Sequence, residues 1–124
     1  MKYHKIKVTV TNQTGVEMND ISFHHAAGEK KTDLKVKFLE ADAHFQVEIE
    51  THAEESDYWS IRFGDGVWHW YRNKKRCSIS KEDIFSHRGV HINLLPPKQG
   101  FSIEMPVSAS CNDNYYDKGS GQHY

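Results

Sequence analysis

Apolar and polar residues alternate with a period of two along most of this chain, and no other feature limits its possible folds as strongly. Ile6, Val8 and Val10 alternate with Lys5, Lys7 and Thr9, and Phe45, Val47 and Ile49 alternate with His44, Gln46, Glu48 and Glu50. Successive side chains of a β-strand point to opposite faces, so segments of this kind form strands with one buried face. Helical periodicity is almost missing. The pattern therefore predicts an all-β chain.

Turn chemistry divides the alternation into about eight strands. The first runs from His4 to Thr11 and stops at Asn12-Gln13-Thr14-Gly15, a run of turn formers. The second, about Asn19 to His25, turns Ile21 and Phe23 inward, and the third sets Leu34, Val36 and Phe38 against Lys35 and Lys37. The fourth covers Ala43 to Thr51. Strands five and six form a hairpin after the acidic link Glu54-Glu55, which reads as a solvated turn. Ser80-Lys81-Glu82-Asp83 has the form of a helix capping box and predicts a short helical turn over Lys81 to Phe85. The last two strands, Val90 to Leu95 and Phe101 to Met105, each end at proline. At 124 residues there is room for one core. The expected architecture is a single-domain antiparallel β-sandwich over residues 1–111, followed by a polar, aperiodic tail at 112–124 that is mobile unless its tyrosines dock.

The hairpin Asp57 to Asn73, DYWSIRFGDGVWHWYRN, holds all three tryptophans. Asp65-Gly66 suits a two-residue type I′ turn, in which both central residues need φ > 0. That turn pairs Phe63 with Trp68, Ile61 with Trp70 and Trp59 with Arg72, and on the other face Arg62 with His69 and Ser60 with Tyr71. By this parity the tryptophans belong to the core, and Tyr58, Arg62, His69 and Tyr71 form an outward polar face. The assignment holds only with a two-residue loop.

Composition excludes several function classes. Sixteen basic and 17 acidic residues are mixed along the chain for a net charge of −1, so the one-signed footprint of a nucleic-acid binder is missing. Mean hydropathy is −0.77 and no apolar run approaches the roughly 20 residues of a membrane-spanning helix. The start, MKYHKIKVTVTN, has no hydrophobic core of a secretory signal, so the expected setting is the cytoplasm or export by a route without a classical signal peptide.

Segments spread over the chain, VTVTNQTGVEMNDISFHH at 8–25, DYWSIRF at 57–63, Cys77 with SISKED, and FSIEMPVSASC at 101–111, together resemble a small β-sandwich family named for up-regulation in nematode insulin-receptor mutants. The resemblance implies the sandwich fold and a pair of cysteines, and it implies no catalytic residues. Cys77 and Cys111 each follow the end of a late strand, so they either meet at one pole of the sandwich or remain two reduced thiols. A bridge would close a loop of about 34 residues, for which chain entropy gives roughly 3 to 5 kcal/mol.

No motif assembles a reaction centre. His24-His25, His69, His87 and His91 invite a metal reading, but adjacent strand residues face opposite ways, and His69 can meet His91 only if strands six and seven are neighbours. Zinc-protease, Cys-x-x-Cys and calcium-loop spacings do not occur, and neither does a nucleophile elbow; Gly64-x-Gly66 lacks the third glycine of a dinucleotide site. Neither an enzyme nor a resident metal or cofactor is expected. Arg72-Asn73-Lys74-Lys75-Arg76 is a basic run that can meet phosphates or, more simply, solvate a loop. The candidate binding set is thus Tyr58, Arg62, His69, Tyr71, Arg72, Lys74, Lys75 and Arg76. The expected function is a non-catalytic interaction module for a protein, glycan or lipid headgroup, with homo-oligomers allowed. A membrane-active lipid binder resembling the aegerolysins in size, strand count and tryptophan content is the alternative.

Overall fold

A computed structural model describes residues 2–53, 55–73, 77–96 and 99–112, together with the backbone of 114–122. In chain order the elements are β1 (His4–Asn12), β2 (Met18–Ala27), β3 (Lys30–Leu39), β4 (His44–Thr51), β5 (Asp57–Gly64), β6 (Val67–Asn73), α1 (Lys81–Phe85), β7 (Val90–Leu94), β8 (Phe101–Glu104) and β9 (Asn114–Gln122). They form a four-stranded sheet, β4-β1-β7-β8, and a five-stranded sheet, β3-β2-β5-β6-β9. The fold is a β-sandwich. Val8, Val10, Ile49, Ile92 and Leu94 of the first sheet and Ile21, Phe23, Trp59, Ile61 and Phe63 of the second are buried in one core. In these sets the alternation does what it predicts, since each lies on one parity of its strand. At the end of β3, however, the expected inward Phe38 is 54% exposed, and Leu39, opposite the buried Met18 past the irregularity at Asn19–Ser22, is buried instead.

Two features depart from a purely antiparallel eight-stranded sandwich. β1 pairs in parallel with β7, with Val8 opposite Val90 and Val10 opposite Ile92. Residues 114–122, in the segment read as a polar tail, form a ninth strand antiparallel to β6. Its sequence carries no alternation because what places it is the exposed hydrogen-bonding edge of β6, and backbone pairing is indifferent to side-chain pattern.

The hairpin register differs from the expected one by a single residue. Gly64 lies opposite Trp68, Phe63 opposite His69, Ile61 opposite Tyr71 and Ser60 opposite Arg72, so three residues rather than two make the loop. Gly66 has φ 103° while Asp65 is not among the residues with positive φ, which excludes a type I′ turn. A one-residue slip sends every side chain of one strand to the opposite face. His69 and Tyr71 are therefore buried, at 4% and 0% exposure, and Trp68 and Trp70 are half-buried on the outer face. Of the three tryptophans, Trp59 alone keeps its expected place in the core.

Polar tips make the inward His69 and Tyr71 tolerable. His69 Nε2 lies 2.7 Å from Asp65 Oδ1 and its ring stacks on Phe63 at 5.0 Å. The Tyr71 hydroxyl donates to the Leu95 carbonyl at 2.9 Å, while its ring stacks on Phe101. Both side chains bury an apolar body and end on a hydrogen bond.

Asn12 organises the crossing from β1 to β2. Its Nδ2 donates to the carbonyls of Val16, Leu39 and Glu40, and its Oδ1 accepts from the Thr14 amide and hydroxyl. The capping box forms as the sequence predicts, with Ser80 Oγ accepting from the Asp83 amide and Asp83 Oδ2 accepting from the Ser80 amide. Asp83 further accepts from the amides of Val107 and Ser108 and from Ser108 Oγ. Burial alone would raise its pKa, but the hydrogen bonds from Ser108, Ser80 and Val107 outweigh burial and hold it at about 2. Cys77 and Cys111 are joined in a disulfide, with their Cα atoms 6.0 Å apart.

Candidate functional site

The outer face of the five-stranded sheet gathers the unusual surface chemistry. One row across four strands reads Lys35 (β3), Ser22 (β2), Arg62 (β5) and Trp70 (β6), and the next reads Asp33, His24, Ser60 and Arg72. Trp68 faces Gly64, which has no side chain, so Arg62 can lean over the indole. The Arg62 guanidinium carbon lies 4.1 Å from the Trp68 ring centroid, and that of Arg72 lies 4.7 Å from the Trp70 ring. Both distances are within cation–π range. Stacking explains how two tryptophans remain on an outer face, since the flat guanidinium groups cover part of each ring. Tyr58, 38% exposed, meets the His24 ring edge-on at 5.8 Å, and His24 Nδ1 lies 2.6 Å from Asp33 Oδ1.

Beside the Arg62–Trp68 stack lies a cleft of about 560 Å³ lined by Asp20, Ser22, Lys35, Lys37, Arg62 and Trp68 among others. A β-bulge between Asn19 and Ser22, with Asp20 at φ 49°, contributes Asp20, Ile21 and Ser22 to its lining. Among the described residues neither Lys35, Lys37 nor Arg62 forms an ion pair, whereas Lys5 pairs with Glu48 and Lys30 with Glu50. A second cavity, of about 260 Å³, is lined by Lys2, His4, His52, Lys81, Ile84 and Phe85.

The structure divides the sequence-derived binding set. Tyr58, Arg62 and Arg72 share the outer face; His69 and Tyr71 are inside and leave the set for the register reason given above. Lys74, Lys75 and Arg76 lie outside the described residues. Trp68, Trp70, Lys35, Lys37 and Ser22 were missed. The two tryptophans were missed because their facing depends on loop length, and the β2 and β3 residues because strand order was unknown. The alternation of Lys35 and Lys37 with apolar neighbours did mark them as outward.

Other clusters are internal or separated. His25 Nε2 donates to Asp57 Oδ1 at 2.6 Å, Thr51 Oγ1 donates to the same oxygen at 2.7 Å, and the Ile79 amide donates to Asp57 Oδ2 at 2.9 Å. Both side chains of the His25–Asp57 pair are 0% exposed, so this dyad ties β2, β4, β5 and the approach to α1 together and opens on no cleft. His24 and His25 face opposite ways as expected, and His69 and His91 sit in different sheets. Among the described residues no group of three or more His, Cys, Asp or Glu side chains is placed to hold a metal ion, and no helix is long and apolar enough to cross a membrane.

No protein-family model matches this chain, and no curated protein does.

Proposed function

We propose that the chain is a non-catalytic β-sandwich interaction module that docks a protein, glycan or lipid headgroup on the outer face of its five-stranded sheet, around Tyr58, Arg62, Trp68, Trp70 and Arg72. The observation that carries the reading is the Arg62–Trp68 stack beside a cleft with two lysines that have no acidic partner among the described residues. Arginine, tryptophan and tyrosine are the side chains that most often dominate binding energy, and a stacked guanidinium loses little further freedom when a ligand arrives. The sealed His25–Asp57 pair offers a substrate no access, in keeping with a binding rather than a catalytic role.

The aegerolysin-like, membrane-active alternative gains one supporting feature, because two outward tryptophans beside two arginines suit the headgroup region of an anionic bilayer. On the same footing, kinship with the nematode-named sandwich family is proposed from the sequence segments, and of the two settings expected for the chain the Cys77–Cys111 bridge favours the more oxidising.

A panel of glycans and liposomes of several headgroups, assayed with wild type and with Arg62→Glu and Trp68→Ala, tests these readings. Binding to at least one panel member that both substitutions weaken supports the docking face. Vesicle binding abolished by high salt and by Arg62→Glu selects the lipid alternative, and absence of binding to every vesicle removes it. Ligand binding that neither substitution alters would overturn the assignment of this face.

A further inference from the structure

Resting on that docking face, we infer that the cleft bounded by β3, β2 and the β5–β6 hairpin binds a phosphate monoester carried on a sugar or cyclitol ring. Three cations, Lys35, Lys37 and Arg62, and one carboxylate, Asp20, line it, for a balance of +2. A phosphate monoester carries about −1.5 to −2 at neutral pH, so it compensates this charge better than a carboxylate or a sulfate monoester, each of which carries only about −1. The cleft's volume of about 560 Å³ lies within the usual range of small-ligand sites.

The geometry of the lining assigns roles. Arg62 is stacked on Trp68 at 4.1 Å, which leaves its N–H edge free to grip two phosphate oxygens in the bidentate manner that lysine does not provide. Lys35 is in the same cross-strand row as Arg62, with Ser22 between them, and Lys37 lies two residues along β3 on the same parity. Ser22 Oγ and the Asp20 carboxylate are suited to ring hydroxyls, since Asp20 can accept from them at oxygen lone pairs beyond any it already uses. Lysines on an edge strand also discourage strand-to-strand aggregation. That role requires only that they point outward. It does not require their convergence with a stacked arginine over one cleft, or their lack, among the described residues, of acidic partners such as Lys5 and Lys30 have.

Isothermal titration of the full chain with glucose 6-phosphate and with inositol 1-phosphate tests the inference. The expected result is saturable one-site binding, weakened about tenfold or more by Arg62→Gln and by the pair Lys35→Gln with Lys37→Gln, as loss of a charged hydrogen bond implies. Glucose 6-sulfate binds correspondingly more weakly, and Lys5→Gln, remote from the cleft, leaves the affinity unchanged. Near-UV circular dichroism establishes that each variant is folded, and Trp68→Ala gives a second, independent reduction. Vesicles containing phosphatidylinositol 4-phosphate distinguish the source: binding competed by inositol 1-phosphate shows that a lipid carries the group, and binding of the free esters alone shows a soluble ligand. Absence of saturable binding of either ester to folded wild type overturns the inference, as does unchanged affinity in Arg62→Gln. Arg62-dependent binding of another ligand that glucose 6-phosphate does not compete would also overturn it, while leaving the docking face in place.

Discussion

Alanine substitutions at Tyr71 and Trp70, neighbours in β6, should have very unequal effects on stability, in the order opposite to that implied by a two-residue hairpin loop. Tyr71 is fully buried, packs on Phe63 and Phe101, and donates to the Leu95 carbonyl. Removing a buried aromatic ring costs about 3 to 5 kcal/mol through lost transfer energy and the cavity left behind. Leaving the Leu95 carbonyl without its donor adds about 1 kcal/mol, so Tyr71→Ala should lose about 4 to 6 kcal/mol, enough to unfold a marginal domain. Trp70 is half-buried under Arg72, and its removal gives up partial burial plus a stacking contact of about 0.5 to 1 kcal/mol. Trp70→Ala should therefore lose about 1 to 2.5 kcal/mol, taking half of the usual burial energy of a large apolar side chain. Urea unfolding followed by far-ultraviolet circular dichroism measures both without depending on tryptophan emission. Tyr71→Phe, expected to lose about 1 kcal/mol, separates the hydroxyl from the ring and remains informative if Tyr71→Ala does not fold. A larger loss for Trp70→Ala than for Tyr71→Ala would refute the three-residue loop and with it the outward tryptophans.

Asp83→Asn should lose about 2 kcal/mol at neutral pH, since its folded pKa of about 2 lies below the ordinary 3.8. A carboxyl with a depressed folded pKa stabilises above its unfolded pKa and loses that effect as pH falls through the folded one; the gap in urea midpoint between wild type and variant should narrow as pH drops from about 4 to 2. Replacing Cys77 and Cys111 together by serine should lower stability by about 4 kcal/mol, from the closure entropy of a bridge with a sequence separation of 34, and reducing agent should no longer shift the urea midpoint of the variant. Asn12→Ala strips donors from three carbonyls and an acceptor from Thr14, so a loss of about 2 to 4 kcal/mol is expected by thermal melting. Gln13→Ala, beside it in the same turn, serves as a comparison without those side-chain bonds.

Much of the architecture was legible because it depends on local pattern. The strands of the first sheet, the inward sets Ile6-Val8-Val10 and Trp59-Ile61-Phe63, and the Ser80–Asp83 capping box are each written in residues a few positions apart. The candidate site was half legible. Tyr58 and Arg62 lie outward as their parity predicts, while His69 and Tyr71, set outside by a two-residue loop, turn inward and Arg72, set by that loop opposite Trp59, turns outward. Nothing local shows that Leu95, 24 residues on, waits to receive the Tyr71 hydroxyl.

What the sequence determined by itself is therefore parity within each strand: which side chains go together. Tertiary structure decided which way each parity set faces and what lies beside it. Turning β6 over takes only one residue of loop length, a difference between turn conformations too small to read from Asp-Gly alone and settled by the packing of Tyr71 against Phe63 and Phe101. The cleft arises in the same way, because hydrogen bonds between strands distant in sequence bring Lys35 and Lys37 beside Arg62, and pairing of that kind is specified by the whole core rather than by either segment.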